Sequence, residues 1–163
     1  MAIIFKELAQ NGVRREWFLT EMAVRAAPFA LLIPTRLSGS RPVLFLVDTG
    51  AARSAISNRA AAEVTRVRTE DVIRLKGVSG NVNNMFTADK LVLQFAGYNQ
   101  RNRDMLAIDL DQVSQSAGTE VSGIIGFPLL TIFSSLTIDY RDGLVKFDYQ
   151  QNGDSATHSG ARP

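Results

Sequence analysis

The residues best suited to chemistry lie together at Asp48-Thr49-Gly50-Ala51, directly after Leu44-Phe45-Leu46-Val47. A carboxylate at the end of a fully apolar strand is partly withdrawn from water, which favours its protonated form unless a partner compensates. A side chain held this way suits general acid or base work. Thr49 adds a hydroxyl able to lock the loop by hydrogen bonding, and Gly50 permits a backbone turn that a side chain would obstruct. The arrangement is that of a rigidly held acid at the floor of a cleft. For the tripeptide alone, the plain alternative is an Asx turn closing a strand.

The composition leaves few rivals to this carboxylate. The 163 residues contain no cysteine, so disulfides, thiolate zinc sites and a Cys nucleophile are excluded. The one histidine, His158, lies in a polar tail. Ser54 and Ser57 therefore have no base to activate them, and a Ser-His-Asp triad is excluded in practice. Asp109-Leu110-Asp111 pairs two acids without a ligand set, so neither a metal nor a cofactor is expected. Asp89, Asp104, Asp139 and Asp142 read as surface or turn residues. Trp17 and Phe18 read as core or interface.

The net charge is only +2. Arg14-Arg15, Arg66/Arg68 and Arg101/Arg103 are short clusters, read as solvated surface, so no nucleic-acid partner is expected. No apolar run approaches the ~20 residues of a spanning helix, so no integral membrane span is expected. Met1-Ala2-Ile3-Ile4-Phe5-Lys6-Glu7 lacks the pattern of a secretory signal, so the chain as written reads as cytoplasmic. A chain trimmed from an exported, periplasmic precursor would look the same.

The elements that must position Asp48 read as many short strands. Asn11-Gly12 joins Ile3–Leu8 to Val13–Leu19 as a hairpin, with a helix over Arg14–Arg25 as the alternative. Phe29–Leu37 and Val43–Val47 flank a turn at 38–42, and the second strand is expected to be buried on both faces. Ser54–Ser57 is a short strand, followed by a helix over Asn58–Val64 with Asn58 as N-cap. Val72–Val78 and Met85–Phe95 alternate. Between them Gly77-Val78-Ser79-Gly80 has the shape of a mobile flap. Gly97-Tyr98-Asn99 reads as a turn, Met105–Leu110 as a strand and Gln112–Ala117 as a helical turn. About seventy-five residues after Asp48 comes Gly123-Ile124-Ile125-Gly126, with Gly123, Ile125 and Gly126 expected to pack behind the loop. Pro128 opens a short helix to about Phe133. Ser135–Tyr140 and Leu144–Tyr149 form a final hairpin around Asp142-Gly143. So many short strands with one or two short helices indicate an all-β, closed or partly closed barrel.

These features resemble the retropepsin-like aspartic proteases, and most nearly their bacterial single-domain branch. The phrase Val47 through Ile56, the tip Gly77–Gly80, the segment Gly123–Gly126 and the Thr137–Tyr149 hairpin carry the resemblance. It implies a retropepsin-like acid-protease barrel over residues 29–149. Residues 1–28 would be an extension serving as a pro-segment or dimer arm, and 150–163 a disordered polar tail. It also implies aspartic endopeptidase activity on a peptide or protein substrate, with Asp48 catalytic and Thr49, Gly50 and Ala51 supporting it. The mechanism uses two aspartates and the chain has one Asp-Thr-Gly, so the active form would be a homodimer. Two departures stand out. Viral members commonly carry Asp where this chain has Ala52, and Gly126 is followed by Phe127-Pro128 rather than a polar pair. The alternative is a non-proteolytic peptide-binding or dimerisation module with the same fold.

Overall fold

The computed structural model describes residues 4–8, 13–19, 30–68, 75–77, 80–82 and 85–150. The chain opens with strands β1 (Ile4–Leu8) and β2 (Val13–Leu19), then β3 (Leu32–Leu37) and β4 (Val43–Asp48). Next come β5 (Ala55–Ser57), helix α1 (Asn58–Val64) and the short strands β6 (Val67–Arg68), β7 (Leu75–Gly77), β8 (Gly80–Val82) and β9 (Phe86–Ala88). Strands β10 (Leu91–Phe95), β11 (Tyr98–Asn102) and β12 (Met105–Ile108) precede α2 (Asp111–Ala117). The last elements are β13 (Gly123–Gly126), α3 (Phe127–Leu130), β14 (Ser135–Asp139) and β15 (Leu144–Gln150).

Nine strands, in the order β11-β10-β3-β4-β13-β5-β12-β9-β6, form a sheet that curls into a half-barrel. A second sheet runs β1-β2-β15-β14, and β7 pairs with β8 alone. The step that builds the site is β13 entering between β4 and β5. It runs parallel to β4 and antiparallel to β5. Consequently residues 49–54, which join β4 to β5, must cross the end of β13.

The central strands carry apolar residues to both faces. Ile33, Phe45 and Ile125 enter the main core, whereas Leu32 and the half-buried Leu44, Leu46 and Ile124 meet Leu110, Ala117 and Val121 under α2. Only Phe45 of β4 is fully buried, so the expectation of complete burial on both faces is corrected. Its flanking residues keep partial exposure because the cover on the second face is one short helix and a loop.

Several boundaries differ from the sequence reading. Ser57 rather than Asn58 caps α1, its hydroxyl accepting the Ala60 N–H at 3.1 Å. The 85–95 segment is two strands with different neighbours, β9 beside β12 and β6, and β10 beside β11 and β3. The following turn is Ala96-Gly97, both at positive φ (50° and 63°), so Tyr98 already pairs with Phe95. That geometry is a two-residue hairpin turn, tighter than the glycine alone indicates. Residues Val13–Leu19 are strand, not helix, and β2 lies antiparallel on β15. The Asn11-Gly12 turn and the tail after residue 150 lie outside the described residues. Among the described residues no helix is long and apolar enough to cross a membrane.

Candidate active site

Asp48 is the last residue of β4 and lies opposite Gly126 in the parallel ladder with β13. Its Oδ1 accepts the Gly50 N–H at 2.8 Å, and its carbonyl accepts the Ala51 N–H at 3.2 Å. The loop thus folds back on the carboxylate as an Asx turn, which fixes its orientation. Oδ2 has no hydrogen-bond partner among the described residues. The side chain is half-buried, with Thr49 and Gly50 exposed beside it. A Cβ on residue 50 would stand 3.3 Å from Asp48 Oδ1, a tight contact that the carboxylate would have to ease by a few tenths of an ångström.

Two contacts tie the loop to β13. The Phe127 N–H donates to the Ala51 carbonyl at 2.9 Å, and the Gly126 N–H donates to Ser54 Oγ at 3.0 Å. The packing leaves no room for a side chain at Gly126. A Cβ there would meet the Arg53 backbone at 2.7 Å and the Ala51 carbonyl at 2.8 Å. At Gly123 it would overlap the Phe45 ring at 2.1 Å. Ile125, between them, is buried in the main core.

The structure therefore brings Asp48, Thr49, Gly50 and Ala51 together with Gly123, Ile125 and Gly126. It pairs Gly77 with Gly80 at the end of the β7–β8 hairpin, while Val78 and Ser79 lie outside the described residues. Thr49 makes no side-chain hydrogen bond among the described residues. The hydroxyl that holds the loop is instead that of Ser54, which belongs to the Asp-Thr-Gly-Ala-x-x-Ser phrase and was legible there as a spacing, though not as a clamp. Phe127, the departure after Gly126, is 56% exposed beside the loop. Ile132, five residues further on, is also partly exposed.

No group of three metal-ligating side chains occurs among the described residues. Asp109 instead accepts the Asp111 N–H at 2.8 Å and shapes the start of α2. Asp139 accepts the N–H groups of Arg141 and Asp142 in the β14–β15 turn.

The fold that carries this turn is similar to those of solved structures. The retropepsin-like aspartic protease from Rickettsia conorii superposes with a TM-score of 0.52 at 18% identity, covering 91% of this chain and 96% of that one. The fold is thus retropepsin-like. EIAV protease in complex with the inhibitor HBY-793 gives a TM-score of 0.44 at 22% identity, over 61% of this chain and 84% of that one. The retroviral protease-like domain of Ddi1 from Leishmania major gives 0.42 at 19%, over 77% and 97%. No match was found among curated proteins. Residues 33–129 match the aspartyl protease family, and the chain belongs to it.

Proposed function

We propose that the chain is an aspartic endopeptidase that works as a homodimer, with one Asp48 from each subunit in the catalytic pair. The observation that carries this reading is the state of Asp48. One carboxylate oxygen is held by the Gly50 N–H, the other has no partner among the described residues, and the loop beneath is fixed by β13. A single carboxylate cannot both take and give a proton in one step. Two facing carboxylates can, because like charges at close range cannot both ionise and one retains its proton.

The ionised aspartate takes a proton from water while the water oxygen bonds to the scissile carbonyl carbon. The protonated aspartate donates its proton to the carbonyl oxygen, giving a gem-diol. Collapse then breaks the C–N bond, as the nitrogen receives the proton held by the first aspartate. The second acid recovers its proton from the diol as the carboxyl product forms. No cofactor enters this sequence.

The exposed Phe127 supports the dimer. It sits beside the loop that must face the two-fold axis, and an aromatic ring left in water there is suited to an apolar contact between copies. The same feature, with Ala52, also favours the alternative of a dimerisation or peptide-binding module, because both positions lack the polar groups common in family members.

Cleavage of a mixed peptide library between roughly pH 4 and pH 7, at varied protein concentration, separates the readings. Wild-type cleavage is expected to rise faster than linearly with concentration and to be strongest in acid. Asp48→Asn is expected to lose at least about 10²–10⁴-fold. Phe127→Glu is expected to shift sedimentation toward monomer and to lower cleavage with it. Cleavage unchanged by Asp48→Asn overturns the proposal. A folded, dimeric wild type that cuts nothing favours the binding module or a latent precursor.

A further inference from the structure

Beyond Asp48, the loop residues Ala52, Arg53 and Ser54 wall a cleft of about 350 Å³. The β11–β12 turn and the start of α3 complete it. Its floor is apolar, formed by the buried Met105, Leu106 and Leu129. Its rim carries two exposed cations, Arg53 and Arg103. Neither forms an ion pair among the described residues.

One acid lies in the cleft, Asp104, and it is already paired with Arg68. It sits at φ 57° in the tight turn after Arg103, a conformation Asp tolerates better than most residues. Counting Arg53, Arg103 and Arg68 against Asp104, the cleft retains two uncompensated positive charges among the described residues.

We propose that this cleft takes a Glu or Asp side chain of a bound peptide. The position of that peptide rests on the peptidase reading, because the cleft is walled by the loop that carries Asp48. Three features select this ligand. The cationic rim calls for an anion, and an arginine can grip a carboxylate through two N–H groups. The apolar floor suits the methylene stem that carries the carboxylate, whereas a bare phosphate has nothing to place there. The volume is at the small end of ligand pockets, enough for one side chain. Two free arginines are too few to hold a nucleic-acid backbone, whose binding sums many phosphate contacts.

The test reads binding rather than turnover, so it stands apart from the catalytic proposal. Fluorescein-labelled apolar peptides, each with Glu or Gln at one scanned position, are titrated by anisotropy onto the Asp48→Asn chain. At one position the Glu peptide is expected to bind about three- to tenfold more tightly than its Gln counterpart. That preference is expected to vanish when Arg53→Gln and Arg103→Gln are added, to survive in part with Arg53→Lys and Arg103→Lys, and to collapse at ~0.5 M salt. Equal binding of Glu and Gln at every position overturns the proposal. So does a preference that the Gln variants leave intact, or an absence of peptide binding by the folded chain. Failure of the wild type to cleave, with the Glu preference present and arginine-dependent, would sink the catalytic reading and leave this one standing.

Discussion

Around Asp48 the chain is positioned by backbone contacts, and around Phe133 by aromatic bulk. The loop of residues 49–54 has no buried residue and is half-buried at most. It is held by the Gly50, Ala51, Gly126 and Phe127 N–H groups and by a backbone approach that only glycine at 126 allows. Across the fold, the Phe133 ring lies 4.8 Å from Phe147, 5.6 Å from Tyr98 and Tyr149, and 5.9 Å from Phe95. That cluster seals the second sheet against the half-barrel through the buried face of β15, namely Val145, Phe147 and Tyr149. The difference is instructive. Aromatic packing supplies stability through area removed from water. Backbone hydrogen bonding supplies a fixed geometry for the Asp48 carboxylate without covering it. The residues 127–133 join the two regions, so each can be perturbed while the other is observed.

The largest loss of stability is expected at the aromatic end. Phe133→Ala removes the ring shared by four aromatic contacts and leaves a cavity, at a cost of about 3–5 kcal/mol. For a chain of this size that lowers the melting temperature by roughly 10 °C or more, readable by calorimetry. Well below the transition, cleavage per folded molecule is expected to stay within about threefold of wild type, since the loop contacts are untouched. A collapse of cleavage without a thermal shift would remove the distinction between the two regions.

Gly126→Ala attacks the other end. The added Cβ would stand 2.7 Å from the Arg53 backbone, so the loop rather than a flexible side chain must yield. Overpacking of this kind costs about 1–3 kcal/mol, less than the lost ring. Cleavage is nevertheless expected to drop further than in Phe133→Ala, because the displaced segment is the one that aims Asp48. Equal cleavage in the two variants would show that the glycine serves packing alone.

How much of this was legible in the sequence follows from the same contrast. The Asp48 turn could be read because glycines and an aspartate after an apolar run carry local geometric meaning. The hairpin around Asp142-Gly143 could be read for that reason too. The strand insertion could not, because nothing in Gly123–Gly126 states that it lies between β4 and β5. That pairing is non-local, and only the Cβ distances at Gly123 and Gly126 reveal how close it is. Ser57 was missed as a cap because Asn58, an equally good capping residue, stands next to it. The division at residues 89–90 was missed because apolar alternation continues across it while the strand partners change. The arginine-rimmed cleft was also beyond reach, since Arg53 and Arg103 are far apart in sequence and meet only through the fold.

The finest test of the comparison uses one chemical change at two sites. Ser54→Ala deletes the hydroxyl that accepts the Gly126 N–H and leaves that donor buried without its partner. Ser57→Ala deletes the hydroxyl that accepts the Ala60 N–H at the start of α1. Each costs about 1 kcal/mol, the first through an unpaired backbone donor and the second through a lost helix cap. Thermal melting should therefore hardly distinguish the two variants. Turnover should. Ser54 ties the loop of Asp48 to β13, so its loss lets the carboxylate sample orientations that the hydrogen bond excludes, and cleavage is expected to fall several-fold. Ser57 only starts a helix, and its loss should leave cleavage near wild type once the folded fraction is matched. Ser54→Thr keeps the hydroxyl and is expected to restore most of the activity. Equal turnover in the two alanine variants would mean that the Asp48 turn holds its geometry without the clamp, through the Gly50 and Phe127 N–H bonds alone.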